Sequence, residues 1–224
     1  MKKNDLRFER KKHRIEENKK FILKVAEKIF SQKGYSLATM DQIAEEAQFS
    51  KVTLYRYFKS KSEIFLEIIN KSFDEMYQKM ARILEEKTAA EEKLRELIHC
   101  ISSYYHRKKN LARILMMERS LVKRILNLNS REQVCPSAHH PQIPADFKAK
   151  IEDIFNIMCK IINEGIESGE FKKVDVHDAC FVLGAMVRGF HFRGPLEGKE
   201  YNINESADLL YSFFLNGIKK ERHA

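Results

Sequence analysis

The sequence predicts an all-α fold, and two observations support that prediction. Only 8 glycines and 4 prolines occur among the 224 residues, and no glycine lies between Gly34 and Gly165. Strands joined by tight turns need many more residues of these two kinds. The apolar residues also recur at spacings of three and four, which is typical of helices with one buried face.

The positions of the first two helices are predicted from the spacing of apolar residues and from residues that are typical of helix ends. An apolar stripe over residues 21–30 predicts a helix, and Gly34 suits the left-handed position that ends one. Thr39, with Gln42 three residues later, matches a capping box. A short second helix is therefore predicted from there to about residue 47.

The remaining helices follow from the same signals. Ser50 is an N-cap candidate that opens a helix through about Phe58. Ser60 and Glu63 match another capping box, and a long apolar stripe runs from there to Leu84. Further stripes predict helices over residues 94–105, 111–128, 151–166 and 178–192, and from Asn204 or Ser206 onward. Residues 130–145 contain three of the four prolines and predict an exposed loop.

Positive charge is concentrated at the beginning of the chain. The net charge is +9, and residues 1–62 hold 16 Lys and Arg against 8 Asp and Glu. A solvated basic tail would explain this excess. The alternative is an anion-binding head on a nearly neutral body, for which nucleic acid is the commonest large partner.

Residues 39–58 have the layout of a helix-turn-helix, in which two short helices are joined by a turn of about three residues. The inner side of the pair is predicted to consist of Ile43, Ala44, Ala47, Val52, Tyr55 and Phe58. The outer side of the second helix is predicted to carry Lys51, Thr53, Leu54, Arg56 and Tyr57. Small polar, aromatic and basic groups of this kind suit a phosphate-lined groove better than a protein core.

A specific pattern covers residues 22–69. It consists of a helix ending in Gly34-Tyr35, Thr39 before Ile43-Ala44, and then Ser50-Lys51, Leu54-Tyr55, Phe58 and Lys59-Ser60-Lys61. This pattern resembles the DNA-binding head of TetR-type transcriptional regulators. The resemblance implies a three-helix helix-turn-helix domain that a long helix joins to a C-terminal helical ligand-binding and dimerisation domain. The expected divisions are a basic N-terminal extension at 1–18, a DNA-binding domain at 19–62 and a ligand-binding and dimerisation domain at 63–224.

The chain departs from the family's pattern in the turn of the motif and in the recognition helix. The family usually has glycine where this chain has Gln48-Phe49. A glutamine in the left-handed conformation would cost about 1 kcal/mol relative to glycine. Val52 also replaces a commonly small residue, which affects how the helix sits in a groove.

The resemblance implies roles for individual residues. Thr39, Tyr55 and Lys61 match positions that usually contact phosphates. Ser50, Lys51, Thr53 and Leu54 match positions that usually face bases, and Tyr57 is a candidate for either contact. Leu54 and Tyr55 are alternatively core residues, and the sequence leaves this open. Replacing Lys61 with alanine is expected to weaken binding to all DNA sequences alike and to lower its salt dependence.

The basic extension over residues 1–18 has two interpretations. It is either an arm that enters the minor groove or a disordered, solubilising tail. Deleting residues 1–13 and measuring DNA affinity would separate the two.

The later helices have the apolar faces that a ligand site and a dimer need. The ligand-binding candidates, each of which is alternatively ordinary core, are Tyr104, Tyr105, Met116, Met117, Phe155, Met158, Cys159, Ile162, Met186, Phe190 and His191. A homodimer is expected through the last two helices, which carry Leu183, Val187, Phe190, Leu210, Phe213 and Phe214. The alternative is that these faces only close the core of the monomer.

The function expected from these features is that of a dimeric, ligand-responsive transcriptional regulator. The more specific expectation is a repressor that a small apolar or amphipathic ligand releases from a palindromic DNA operator. A helical enzyme and a helical interaction protein are the alternatives, but the sequence contains no P-loop, GxGxxG, GxSxG or HExxH motif. Cys135 with His139-His140 lacks the spacing of a zinc site. We therefore expect no enzyme activity, cofactor, metal or membrane span, and a cytoplasmic location with reduced thiols.

Overall fold

The chain folds into helices joined by short turns. In a computed structural model we describe residues 3–109, 111, 145–192 and 201–219. The helices of these residues are α1 Lys3–Lys33, α2 Met40–Glu46, α3 Lys51–Tyr57, α4 Lys61–Glu85, α5 Ala90–Arg107, α6 Ala145–Glu167, α7 Val176–Phe192 and α8 Ile203–Ile218. Across these described ranges there is no strand, only a single antiparallel bridge between Phe171 and Lys219. The all-α prediction is confirmed.

Some predicted features fall outside the described residues. These are the helix over 111–128, apart from residue 111, and the loop over 130–145, apart from residue 145. The ligand candidates Met116 and Met117 and the residues Cys135 and His139-His140 belong to the same stretch.

The described residues divide into two compact units, and the division falls inside α4. The first unit contains residues 3–71 and residue 111, and the second contains the rest. Residues 63–71 thus pack in the first unit, although the sequence boundary assigned them to the second. The reason is that the Phe65 ring lies 5.7 Å from the Phe30 ring and 4.8 Å from the Tyr35 ring, measured between centroids.

The first unit is built around the carboxyl-terminal half of α1. Ile22, Ala26 and Phe30 are buried there with Tyr35. Gly34, which follows α1, has a φ of +80°, as expected for the residue that ends this helix.

The second unit is built around α5, which packs against α6, α7 and α8. Leu94, Leu97 and Ile98 of α5 have no exposed surface. At the end of α6, the Phe171 N–H donates to the Gly165 carbonyl at 2.8 Å. The Phe171 ring lies so close to Gly165 that a β-carbon there would overlap it.

Several helix starts differ from the sequence predictions, and α6 begins six residues before the predicted start at residue 151. α1 begins at Lys3 because residues 3–20 are rich in Lys, Arg and Glu, which favour helix without forming an apolar stripe. α8 is capped by Asn202, not by Asn204 or Ser206 as predicted. Asn202 and Glu205 form the capping box, and the Ser206 hydroxyl instead donates to the Ile203 carbonyl at 2.8 Å.

Among the described residues, no helix has both the length and the apolar character needed to cross a membrane.

Candidate functional site

α2 and α3 begin at the capping residues that the sequence predicted. Thr39 Oγ1 accepts a hydrogen bond from the Gln42 backbone N–H at 3.2 Å, and Gln42 Oε1 accepts one from the Thr39 N–H at 3.2 Å. Ser50 Oγ accepts from the Thr53 N–H at 3.1 Å and lies 2.8 Å from the Thr53 hydroxyl. These bonds satisfy backbone donors that a helix start otherwise leaves unpaired. They also fix three exposed or half-exposed hydroxyls at the starts of the two helices.

The turn between α2 and α3 has a left-handed residue at Gln48, whose φ is +57°. The Gln48 N–H donates to the Glu45 carbonyl at 3.0 Å, and the Phe49 N–H donates to the Ala44 carbonyl at 2.9 Å. This pair of bonds is the Schellman motif, which ends a helix around a left-handed residue. The turn therefore keeps the geometry that usually requires glycine.

α3 turns a different face outward from the one that the sequence predicted. Val52 and Tyr55, which were expected to face inward, are 74% and 50% exposed. Leu54 and Phe58 have no exposed surface. The prediction that Leu54 contacts DNA is therefore wrong, because a fully buried side chain cannot reach a base. Tyr55 remains available for such a contact.

Lys51 links the starts of the two helices. Its Nζ lies 2.6 Å from Asp41 Oδ2, and both side chains are largely exposed. The hydrogen bond and the negative charge of Asp41 raise the pKa of Lys51. The lysine is thus held as a cation on the exposed face that also carries Val52 and Tyr55.

Lys61 is bound to the loop that precedes α2. Its Nζ donates to the carbonyls of Tyr35 at 2.7 Å, Ser36 at 3.2 Å and Ala38 at 2.7 Å. The same nitrogen lies 4.4 Å from the centroid of the Tyr35 ring. An ammonium group has three N–H donors, and these carbonyls use all three. Lys61 therefore holds this loop, and its phosphate contact stays a prediction.

Tyr57 at the end of α3 is attached to α1. Its hydroxyl accepts a hydrogen bond from Asn18 Nδ2 at 2.8 Å, and its ring lies 6.1 Å from that of Phe49. Close by, Lys19 Nζ lies 5.4 Å from the centroid of the Phe58 ring. These contacts were not predicted, since 39 residues separate Asn18 from Tyr57 in the chain.

Four of the ligand-binding candidates form a chain of ring contacts in the second unit. The Tyr104 and Tyr105 ring centroids are 5.8 Å apart. Tyr105 stacks on His191 at 5.6 Å with an interplanar angle of 12°, and His191 meets Phe190 edge-on at 5.6 Å. Burial raises the pKa of Tyr105. The structure thus brings together residues that lie far apart in the sequence.

The other described candidates are not part of this chain of rings. Met158 and Ile162 are buried in the core, and Met186 packs against it. Phe155 contacts His177, with 5.7 Å between the ring centroids. Cys159 lines a groove of about 640 Å³.

A smaller cavity carries cations that the sequence did not single out. Its volume is about 280 Å³, and it lies between α4 and α5 beside Tyr104. Lys79, Arg107 and Lys108 line it, with Glu75 as its acidic residue. In a chain with 41 Lys and Arg residues, only the packing of α4 against α5 shows which of them converge.

The last two helices have both a buried and an exposed apolar side. Leu183, Val187, Leu210 and Phe214, which were considered for a dimer interface, are buried within the unit's own core. The large apolar side chains that these helices expose are Phe181 at 66%, Val182 at 49% and Phe213 at 68%.

Comparisons with known proteins agree with this arrangement. A profile described as "Bacterial regulatory proteins, tetR family" matches residues 22–68, which include α2 and α3. The HTH-type transcriptional regulator YhgD of Bacillus subtilis is 30% identical over 202 residues, which cover 90% of this chain and 97% of YhgD. The fatty acid metabolism regulator protein of the same organism is 27% identical over 198 residues, which cover 88% of this chain and 93% of that protein.

Solved structures show the same fold. The transcriptional regulator FadR of Bacillus subtilis, in complex with stearoyl-CoA, superposes with a TM-score of 0.66 at 23% identity. The superposition covers 88% of this chain and 97% of FadR. The named relatives are regulators, which agrees with the expectation that this chain is not an enzyme. The match to YhgD over nearly the whole of both proteins shows that the chain belongs to the TetR family of transcriptional regulators.

Proposed function

We propose that α3 reads a palindromic DNA operator and that the protein is a dimeric repressor released by an amphipathic ligand. The observation that carries this proposal is the exposed face of α3, where Lys51, Val52 and Tyr55 stand clear of the core while Leu54 anchors the helix. Lysine is able to read guanine edges, valine is able to pack on thymine methyl groups, and a tyrosine hydroxyl is able to bind a phosphate. Thr39, Ser50 and Thr53 add hydroxyl groups at the helix starts.

The domain roles are part of the same proposal. Residues 19–62 would bind DNA, and residues 63–224 would bind ligand and dimerise through α7 and α8. Exposed Phe181, Val182 and Phe213 support this interface, because large apolar side chains cluster at protein contacts. Two copies of α3 in one dimer would read two half-sites. A regulator of this kind would act in the cytoplasm, where the chromosome lies.

The proposed ligand is an acyl thioester of coenzyme A or an amphipathic anion of the same kind. Similarity to the fatty acid metabolism regulator of Bacillus subtilis supports this class. The rings of Tyr104, Tyr105 and Phe190 offer apolar contacts, and Lys79 and Arg107 offer cations for phosphate groups. Release follows if the ligand binds more tightly to a state with lower DNA affinity.

The test begins with selection of a duplex from random-sequence DNA by the full-length protein. Lys51→Ala and Tyr55→Phe should each weaken its binding by at least about tenfold, as expected for loss of one good contact. Stearoyl-CoA should release the duplex, whereas coenzyme A alone should not.

The ligand part of the test uses two matched pairs of substitutions. Lys79→Gln with Arg107→Gln should raise the stearoyl-CoA concentration needed for half-release by about tenfold or more, since two charged hydrogen bonds are lost. Arg82→Gln with Arg95→Gln removes one cation from each of the same two helices and should leave release unchanged. Selection of no duplex contradicts the DNA-binding proposal, and equal effects of the two pairs contradict the ligand proposal.

A further inference from the structure

We propose that the amino-terminal part of α1, residues 7–19, is a second DNA-binding surface that lies along the phosphate backbone beside the site read by α3. This inference rests on the proposed DNA-binding function and adds a separate contact element to it. The surface, here called the basic face, consists of Arg7, Lys11, Lys12 and Lys19.

The basic face follows from helical geometry. Eighteen residues make five full turns at about 3.6 residues per turn, so residues that far apart point in the same direction. Arg7, Phe8, Lys11 and Lys12 therefore share the directions of four buried residues of the same helix, Val25, Ala26, Ile29 and Phe30. The side of α1 that packs on the helix-turn-helix thus continues beyond it as a side carrying cations.

The centre of the basic face is formed by Arg7 and Lys11. Over residues 7–20, Glu9 and Glu17 lie toward the other side of α1 with Arg10 and Lys20, and Glu16 lies at the edge of the basic face, one turn after Lys12. Glu17 pairs with Lys20 at 2.9 Å. Arg7 and Lys11 have no acidic residue three or four positions away, so their positive charge is not offset by a neighbour one turn along the helix. Phe8 and Ile15 are exposed among the cations of this face.

Contacts within the first unit direct this face toward α3. Asn18 donates to the Tyr57 hydroxyl, and Lys19 lies over the Phe58 ring, both at the carboxyl end of the recognition helix. The extension therefore leaves the unit beside α3 and is continuous with the rest of α1. A duplex bound by α3 would pass close to this helix, whose 17 residues from Lys3 to Lys19 span about 25 Å, or roughly seven base pairs.

The helical form of the extension decides which part of DNA it contacts. A helix with its side chains is about 10–12 Å wide, whereas the minor groove is about 6 Å wide. The extension therefore does not enter that groove as an extended arm would. Long, exposed Arg and Lys side chains on one side of a helix instead suit phosphate oxygens along a groove edge.

The test compares two triple variants of the full-length protein. Arg7→Ala, Lys11→Ala and Lys12→Ala remove three of the four cations of the basic face and leave Lys19, which lies over the Phe58 ring. Arg10→Ala, Lys20→Ala and Lys24→Ala remove the same charge from the other side of the same helix, where all three side chains are exposed, and serve as the matched control. Two probes are made from the duplex that the wild-type protein selects. The trimmed duplex contains only the selected site, and the longer duplex has about ten additional base pairs on each side, a length that exceeds the span of the extension. Affinity is measured over a range of salt concentrations.

On the longer duplex, the basic-face variant should lower the slope of log K against log salt by about 2–3 per protomer, since each lost phosphate contact removes about 0.9. Its hydroxyl-radical footprint should also lose protection outside the α3 half-sites. The control variant should change this slope by less than about 0.9, the value for a single phosphate contact. On the trimmed duplex, the two variants should bind alike.

Three results would overturn the inference. Equal slope changes in both variants would mean that only net charge matters, and unchanged binding by the basic-face variant would mean no contact. Loss of binding to phosphatidylglycerol vesicles with unchanged DNA binding would make the face a lipid surface instead. A different result would contradict the proposed DNA-binding function itself: the wild-type protein would select no duplex.

Discussion

At the scale of single residues, Lys61 either holds the loop before α2 or contacts a DNA phosphate. The two roles predict different effects of a substitution on stability and on the salt dependence of DNA binding. Lys61 donates to the carbonyls of Tyr35, Ser36 and Ala38. Lys61→Ala should therefore lower the free energy of unfolding by about 2 kcal/mol, as for loss of charged hydrogen bonds. It should weaken DNA binding through the loop while leaving the salt slope unchanged.

Urea unfolding and salt titration of DNA affinity measure the two effects. Lys59→Ala, an exposed lysine two residues away, is the control and should leave stability unchanged. If Lys61→Ala instead lowers the slope of log K against log salt by about one and leaves the stability normal, Lys61 is a phosphate ligand.

Gln48 offers a second test at the residue scale, because its φ of +57° is unfavourable for any residue with a β-carbon. Gln48→Gly should stabilise the protein by about 1 kcal/mol, since relief of the strain exceeds the added entropy of the unfolded chain. Gln48→Ala keeps the β-carbon and should give no such gain. Equal unfolding midpoints for the glycine and alanine variants would contradict this account.

At the residue scale, the sequence predicted the starts of α2 and α3 but not which face of α3 is exposed. The caps at Thr39 and Ser50 were predicted correctly, because a hydroxyl followed by a helical stripe is a local signal. Leu54 was assigned outward and Val52 inward, and both assignments were wrong. A helix of seven residues has only about two turns, which is too short for apolar spacing to fix its rotation.

At the scale of elements, α5 is capped by a residue from another part of the chain. Its N-cap residue is Ala89, which has no side-chain acceptor. The Glu170 carboxylate accepts instead, from the Glu91 N–H at 3.0 Å and the Ala90 N–H at 3.3 Å. Burial alone would raise the pKa of Glu170, but these bonds and one from Ser168 outweigh it and lower the pKa.

Glu170→Ala should destabilise the protein by about 1 kcal/mol at neutral pH, the usual cost of a lost cap. Because the folded pKa lies below the ordinary value of 4.5, the contribution of Glu170 is present above that pH and is lost as pH falls through the folded pKa. The difference in unfolding free energy between wild type and variant should therefore shrink in acid. Glu91, whose pKa is also lowered, interacts with the Glu170 charge, so Glu91→Gln in both proteins removes its titration from the comparison.

A local replacement of the cap provides the control for this experiment. Ala89 is exposed and already has the extended backbone of an N-cap, with φ −60° and ψ 150°. Adding Ala89→Asp to Glu170→Ala should restore most of the lost stability. If the second substitution has no effect, the carboxylate at 170 stabilises something other than the start of α5.

α1 marks the limit of prediction at the element scale. The stripe over residues 21–30 identified its buried half, whereas residues 1–18 were assigned to an arm or a tail. Helical preference without an apolar stripe is a weak signal, since most helices in proteins are stabilised by packing. The cap of α8 was misplaced for a different reason, because Asn202, Asn204 and Ser206 are all plausible caps and only the first has a glutamate at the third following position.

At the scale of the whole molecule, the proposed dimer can be tested through one exposed ring. Phe213 is 68% exposed on α8. Phe213→Glu should raise the dissociation constant of the dimer by about a hundredfold or more, because it places an unpaired charge in an apolar contact. Sedimentation over a range of concentrations measures the effect, and operator binding should fall with it.

The matched control is Ile151→Glu, which changes an exposed apolar residue of α6 in the same unit. This variant should remain dimeric at the concentrations at which Phe213→Glu is monomeric. A Phe213→Glu protein that stays dimeric would place the interface elsewhere.

The order and number of the described helices were largely readable from the sequence, because capping boxes and apolar stripes are local. What the sequence did not provide were contacts between distant residues. The ring chain from Tyr104 to Phe190, the cations at Lys79 and Arg107 and the bond between Asn18 and Tyr57 all depend on how helices pack.

The contact between Gly165 and Phe171 also constrains how this sequence is able to diverge. The Phe171 ring is 2% exposed and has no open space to move into when a β-carbon is added at residue 165. The two positions should therefore show epistasis, in which a larger residue at 165 becomes tolerable only after Phe171 has become smaller. Related sequences that lose the glycine should carry a smaller side chain at the position of Phe171, so covariation of the two sites would record their packing.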